Sequence, residues 1–397
     1  MARVTKPDRE SLPPGERRFF DAVLAIRRRP ISGPFIVLSN SSPDLAARFA
    51  QLGHYFHARG QADESIVPLR DRCFVSLIGS RVLESPYEWA AWHNWSIDAG
   101  VSQATADAIR EGRTPELDPT ERLIDELCSA LVSGDHRVGD GLFDQARAHY
   151  GDKALVELVV TLGYFAMIAL PLVAMEMEMS PSQLAQRRPF EPLRVRGRPW
   201  SGSERPSLPP LAETRATPRL PALTGHDHLA PADQHFLDRV IRSRGWISPL
   251  YAVLLHTPDV AERIAHIGEY ILYQSGLAPQ TRALVTLLTA RELDAPYTWA
   301  AGKAMAEDCA FDATLVPQVA DGALRAASHD ERLVATYCLQ LLRPNHHVSD
   351  EVHARMLDRY GLSATIQVAA LAGYVAMTSF IATAFELSPL EVDKPLL

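Results

Sequence analysis

The chain is written twice. SPDLAARFAQLGHYF (Ser42 to Phe56) is answered by TPDVAERIAHIGEYI (Thr257 to Ile271), and RCFVSLIGSRVLESPYEW by RALVTLLTARELDAPYTW, so that Tyr87 matches Tyr297. Further on, ERLIDELCSAL matches ERLVATYCLQL, and HYGDKALVELVVTLGYFAM matches RYGLSATIQVAALAGYVAM, with Gly163 opposite Gly373 and Tyr164 opposite Tyr374. Order is kept and gaps are few, which identifies a tandem duplication rather than chance similarity. The copies run over residues 13–181 and 229–389. Between them, residues 182–228 are dense in Pro, Arg and Ser, a composition too poor in apolar surface to fold alone, and read as a linker or an ordered wrap. A chain of 397 residues is long enough for two domains of this kind.

Within each copy the apolar spacing is helical. Leu45, Phe49, Leu52 and Phe56 fall at i, i+4, i+7 and i+11. Ser42-Pro43 and Thr257-Pro258 each supply an N-cap residue followed by proline at the first helical position. No segment alternates with period two, so the predicted fold class is all-α. The most apolar stretch, LVELVVTLGYFAMIALPLVAM, is broken by Glu157, Gly163 and Pro171 and reads as buried helix rather than a membrane span. The N-terminus has no apolar signal core, and a net charge of -8 offers no basic face for nucleic acid. Cys73, Cys128, Cys309 and Cys338 are far apart without a CxxC pair, which points to neither a disulfide framework nor a zinc knuckle. The expectation is a cytoplasmic protein without membrane or nucleic-acid partners.

Three segments carry a family resemblance: PISGPFIVLSNSSPDLAARFAQLGHYF, SRVLESPYEWAAWHNWSIDAGVS and ELVVTLGYFAM. Together they resemble the carboxymuconolactone decarboxylase and alkylhydroperoxidase superfamily, and the resemblance covers both copies. It implies small helical domains that pair, with the active site in a pocket between helices. A fused duplication then implies an internal pseudo-dimer, and leaves room for a homo-oligomer built from it.

The chain departs from that family's patterns. The positions matching the peroxidase CxxC pair are Ser85 and Glu88 in the first copy and Ala295 and Thr298 in the second, so thiol peroxidase chemistry has no thiols to use. Where the decarboxylase branch has Glu-Trp-x-x-His, the i+4 position here is Trp92, and the histidine follows at His93, turned by roughly 100° on a helix. The second copy loses both the acid and the imidazole: Glu88 becomes Thr298 and His93 becomes Lys303. The first copy also gains His54 and His57, at i and i+3, where the second has Glu269 and Leu272. With the family's packing, His54, His57 and His93 converge, and three imidazoles with open positions suit iron or another transition metal.

Each residue also has a plainer reading. The histidine pair reads also as two imidazoles turned to solvent, Glu88 as a buried carboxylate answered by Arg81, and Cys73 as a small core residue. Trp89, Trp92 and Trp95 read as a core stripe or as the wall of a pocket for an aromatic ring. Lys303 reads as a surface or a pocket lysine. His136 and His346 fall in matching loops and read as structural.

Three functions follow as expectations. The first is a metal-dependent enzyme, with non-haem iron, cleaving a C–C bond or opening a ring in an aromatic or polyketide-like molecule, as some tandem members of the resembled superfamily do. In it Glu88 orients a ligand or moves a proton. The second is a cofactor-free lyase or isomerase with Glu88 and His93 as the acid–base pair and Trp89, Trp92, Cys73 and Lys303 around the substrate. The third is a non-catalytic helical scaffold.

Overall fold

The structure is a computed structural model that describes residues 3–57, 64–132, 136–177, 179, 185, 217–322, 324–343, 346–389 and 397. The described residues hold helices and no strand, in agreement with the all-α expectation. Eight helices form the first copy: α1 (Pro14–Arg27), α2 (Pro34–Ser41), α3 (Pro43–His57), α4 (Leu69–Val82), α5 (Pro86–Asp98), α6 (Gln103–Arg110), α7 (Pro119–Val132) and α8 (Asp140–Ala174). The second copy repeats the order with α9 (Gln234–Arg244), α10 (Pro249–Leu254), α11 (Pro258–Glu269), α12 (Pro279–Glu292), α13 (Pro296–Asp308), α14 (Leu315–Ala320), α15 (His329–Leu342) and α16 (Asp350–Ala384). A π-helical turn, Tyr270–Gln274, follows α11.

Helix starts follow the sequence signals, with one divergence. The Ser42 hydroxyl accepts from the Leu45 N–H at 3.3 Å, as an N-cap should. Thr257 makes no such cap; its hydroxyl is 3.4 Å from Glu157 of the other copy. That carboxylate is fully buried and takes three further donors: the Tyr55 hydroxyl at 2.7 Å, the Ser65 hydroxyl at 2.6 Å and the Ile66 N–H at 3.1 Å. Glu157 thus ties the loop after α3 to α8 and to the second copy.

The long helices α8 and α16 pack on each other at the centre. Each is bent by a glycine in the left-handed region, Gly151 at φ 73° and Gly361 at φ 76°, a conformation open to glycine at little cost. Their crossing is reciprocal. Gly163 lies against Met377, and Gly373 lies against Met167, where a Cβ on Gly373 would come within 2.7 Å of the Met167 Cα. By length and composition both helices could cross a membrane, but 94% of each apolar window is buried inside the fold.

The same reciprocity holds where the copies are tied at their edges. Arg3 donates to the Ala174 and Val348 carbonyls and pairs with Asp350, while its own N–H reaches the Met175 carbonyl. Arg219 donates to the Ala384 and Val138 carbonyls and pairs with Asp140, while its N–H reaches the Phe385 carbonyl. Arg219 belongs to the stretch read as linker, so the end of that stretch is an anchored arm equivalent to the chain's first residues. His136 and His346 are buried and face the Leu131 and Leu341 carbonyls at 2.8 and 2.5 Å, consistent with structural loop histidines.

Candidate active site in the first copy

Glu88 sits in the first turn of α5. Ser85 caps that helix, its hydroxyl accepting from the Glu88 N–H at 3.5 Å, and Pro86 opens it. A serine cap with glutamate three residues on is the pattern of a capping box, in which the acid turns back to the cap. Here it does not. The Ser85 N–H goes to the Ser80 carbonyl, and the Glu88 side chain turns inward to accept from the Trp92 indole N–H at 2.7 Å.

That position is dry. Glu88 is 3% exposed, and burial pushes its carboxyl up to about 7 against the opposing pull of the Trp92 N–H and of Arg27. Arg27 ends α1, its guanidinium stacked 4.0 Å over the Phe35 ring, and its Nε is buried without a hydrogen-bond partner among the described residues. Burial, with Arg29 beside it, lowers the Arg27 pKa to about 10, while Tyr164 and Glu88 work against the shift. Tyr164 of α8 feels both Arg27 and Glu88 and is held protonated by its own burial. Its hydroxyl packs on Gly53 of α3, where any Cβ would collide with it. Four helices therefore bring an acid, a guanidinium and a phenol into one electrostatic neighbourhood.

Both carboxylates, Glu88 and Glu157, are buried, but Glu157 is satisfied by four donors, whereas among the described residues Trp92 alone donates to the Glu88 side chain. Arg81, the partner the sequence offers, pairs with Glu84 at 3.6 Å. Glu88 has the environment of a proton-transfer group; Glu157 has that of a structural one.

The other sequence-predicted residues divide. Trp89 and Trp92 are buried beside Glu88 on α5, and Trp92 stacks on Trp95 at 4.7 Å and meets the edge of Phe165 at 5.2 Å. Cys73 is fully buried in α4, its carbonyl accepting from the Ser96 hydroxyl. Lys303 is exposed on α13. His93 is not the partner of Glu88. Its ring faces Asn94 at 3.0 Å and Gln103 of α6 at 3.3 Å, because the one-residue step past Trp92 turns it off the inward face.

His54 turns instead to Glu64 at 3.7 Å, and Glu64 is held from the second copy by Arg263 at 3.0 Å. His54 and His93 thus answer to different partners on different elements. The side chain of His57 lies outside the described residues. Among the described residues no group of three or more His, Cys, Asp or Glu is placed to hold a metal ion. Sequence reasoning missed Arg27, hidden in the surface-like run RRR, and Tyr164, which the repeat had marked only as a match to Tyr374.

In the second copy Thr298 replaces the acid. It is fully buried, and its hydroxyl bonds the Ser379 hydroxyl at 2.8 Å and the Ala295 carbonyl at 3.2 Å. No family model matches the chain, and no curated protein or solved structure matches it either. The family resemblance therefore rests on the motifs quoted above.

Proposed function

We propose that the first copy is a cofactor-independent acid–base enzyme, a lyase or isomerase, in which Glu88 moves a proton to or from a small, ring-bearing, anionic substrate. The observation that carries this reading is Glu88 itself: buried, answered by one indole N–H, poised near neutrality, and within the field of an arginine whose Nε has no partner. A carboxyl that is about half ionised at pH 7 serves as base and acid in turn. The Trp92 N–H fixes its rotamer, so the proton acceptor is held before substrate arrives. Arg27 offers its unused N–H to a substrate carboxylate, and Trp92, packed against the edge of Phe165, gives the site an apolar side that suits a ring. Glu88 replaces the Glu88–His93 pair of the sequence reading with a single titrating group. The reciprocal contacts at Gly163 and Gly373 support reading the two copies as an internal pseudo-dimer, with the first active and the second closing the fold.

The test is solvent-deuterium incorporation and CO2 release on a panel of aromatic and lactone carboxylic acids, using chelator-treated protein. The reading expects turnover that survives chelation and falls by roughly 10²–10⁴-fold in Glu88→Gln. Turnover that is abolished by chelation, restored by Fe(II), and lost in His54→Ala and His93→Ala would replace it with the metal-dependent enzyme expected from the histidines.

A further inference from the structure

The second copy lost its acid but kept its arginine. Arg244 ends α9 as Arg27 ends α1, and it is 4% exposed. Its Nε donates to the Tyr251 hydroxyl at 3.1 Å, and its Nη2 donates to the same hydroxyl at 3.0 Å and to the Ala265 carbonyl at 2.8 Å. Nη1 is buried with no hydrogen-bond partner among the described residues. No carboxylate among the described residues forms an ion pair with it. A buried cation with neutral partners alone is costly, and proteins rarely keep one without a counter-charge.

The hydrogen-bond inventory around it leaves donors over. Tyr251 accepts two N–H groups, so its own proton points on to the Tyr374 hydroxyl, 3.5 Å away. Tyr374 in turn has its proton free for an acceptor. Gly268 leaves the room in which the guanidinium and the Tyr374 hydroxyl meet, since a Cβ there would collide with both. A second, independent feature borders the same arginine. The π-helical turn Tyr270–Gln274 holds Tyr273 outward, 53% exposed, with its ring 5.8 Å from the Arg244 guanidinium. Such turns are rare and are frequent at functional sites.

We infer that the second copy is a binding site for a small aromatic carboxylate, whose anionic group is taken by Arg244 Nη1 and the Tyr374 hydroxyl beneath the exposed ring of Tyr273. The carboxylate supplies the missing counter-charge, and a planar body continues the stack that Tyr273 begins.

Benzoate is the probe, titrated calorimetrically at pH 7 into the full chain carrying Arg27→Gln, so that the first copy's arginine cannot contribute. The expected result is saturable binding of one benzoate per chain, with none for benzamide, its neutral isostere. Tyr374→Phe is expected to weaken binding about tenfold, the worth of one hydrogen bond to a charged group, and Tyr273→Ala to weaken it without unfolding the chain. Arg244→Gln is expected to abolish it. Because Arg244→Gln can fail to fold, the Tyr273→Ala and Tyr374→Phe variants decide the matter with it. No saturable heat with benzoate, equal binding of benzamide, or affinity unchanged in both tyrosine variants overturns the assignment. Preference for inorganic phosphate over benzoate overturns the carboxylate class.

Discussion

Replacing Glu88 with glutamine removes one ionisation and little else. The amide oxygen can still accept from the Trp92 N–H now bound at 2.7 Å, and side-chain volume hardly changes. In the native chain the Glu88 carboxyl stands at about 7, against an ordinary value of 4.5. The folded state therefore holds this proton more tightly than the unfolded state does. Its contribution to stability is fully present below about pH 4.5 and is lost as the pH climbs through 7. A shift of that size, at about 1.4 kcal/mol per unit, corresponds to a loss of about 3 kcal/mol across the window. Glutamine cannot ionise, so the Glu88→Gln chain escapes the loss. Urea unfolding of both proteins at intervals from pH 4 to pH 9 measures the difference, and subtracting one curve from the other cancels every other titrating group. The stability of Glu88→Gln relative to native is expected to be near zero at pH 4.5 and to rise to about 3 kcal/mol by pH 8. A difference that does not change with pH would show that Glu88 ionises normally, and the reasoning from its burial would fail.

Two further outcomes test the packing. Gly373→Ala, which in an isolated helix would gain about 1 kcal/mol, is expected to lose about 1–3 kcal/mol in thermal or urea unfolding, because the new Cβ meets the Met167 backbone at 2.7 Å. A stabilised variant would refute the close crossing of α8 and α16. Native protein treated with an excess of a thiol reagent should expose one cysteine, Cys309, and denatured protein four; Cys73, Cys128 and Cys338 are at most 2% exposed, and burial pushes the Cys338 thiol up to about 12. Rapid native modification of a second thiol would contradict the burial of the other three.

Much of this architecture is legible in the sequence because duplication doubles every signal. Ser42-Pro43 and Thr257-Pro258 announce α3 and α11, and the apolar run around Glu157 is the central helix α8. The paired prolines do not reveal that Thr257 abandons its own cap to reach Glu157, since that bond depends on how the copies pack. The acid at Glu88 was legible as the residue one copy keeps and the other loses. His93 carried its own warning: one residue past the inward position, it faces α6. His54 gave no such warning, because Glu64 comes from a loop whose path the helical spacing cannot encode. Arg27 was the least legible. In RRR any of three guanidiniums could turn inward, and the choice is made by Phe35, over whose ring Arg27 lies.

The titration of Glu88 itself is the most direct test of the acid–base account. With glutamate ¹³C-labelled at the side-chain carboxyl, the Glu88 signal is assigned by its loss in Glu88→Gln and followed by NMR against pH. A midpoint near 7, with the other glutamates titrating lower, is the expected result. A Glu88 midpoint at 4.5, or a carboxylate that stays ionised throughout the range, would contradict the account.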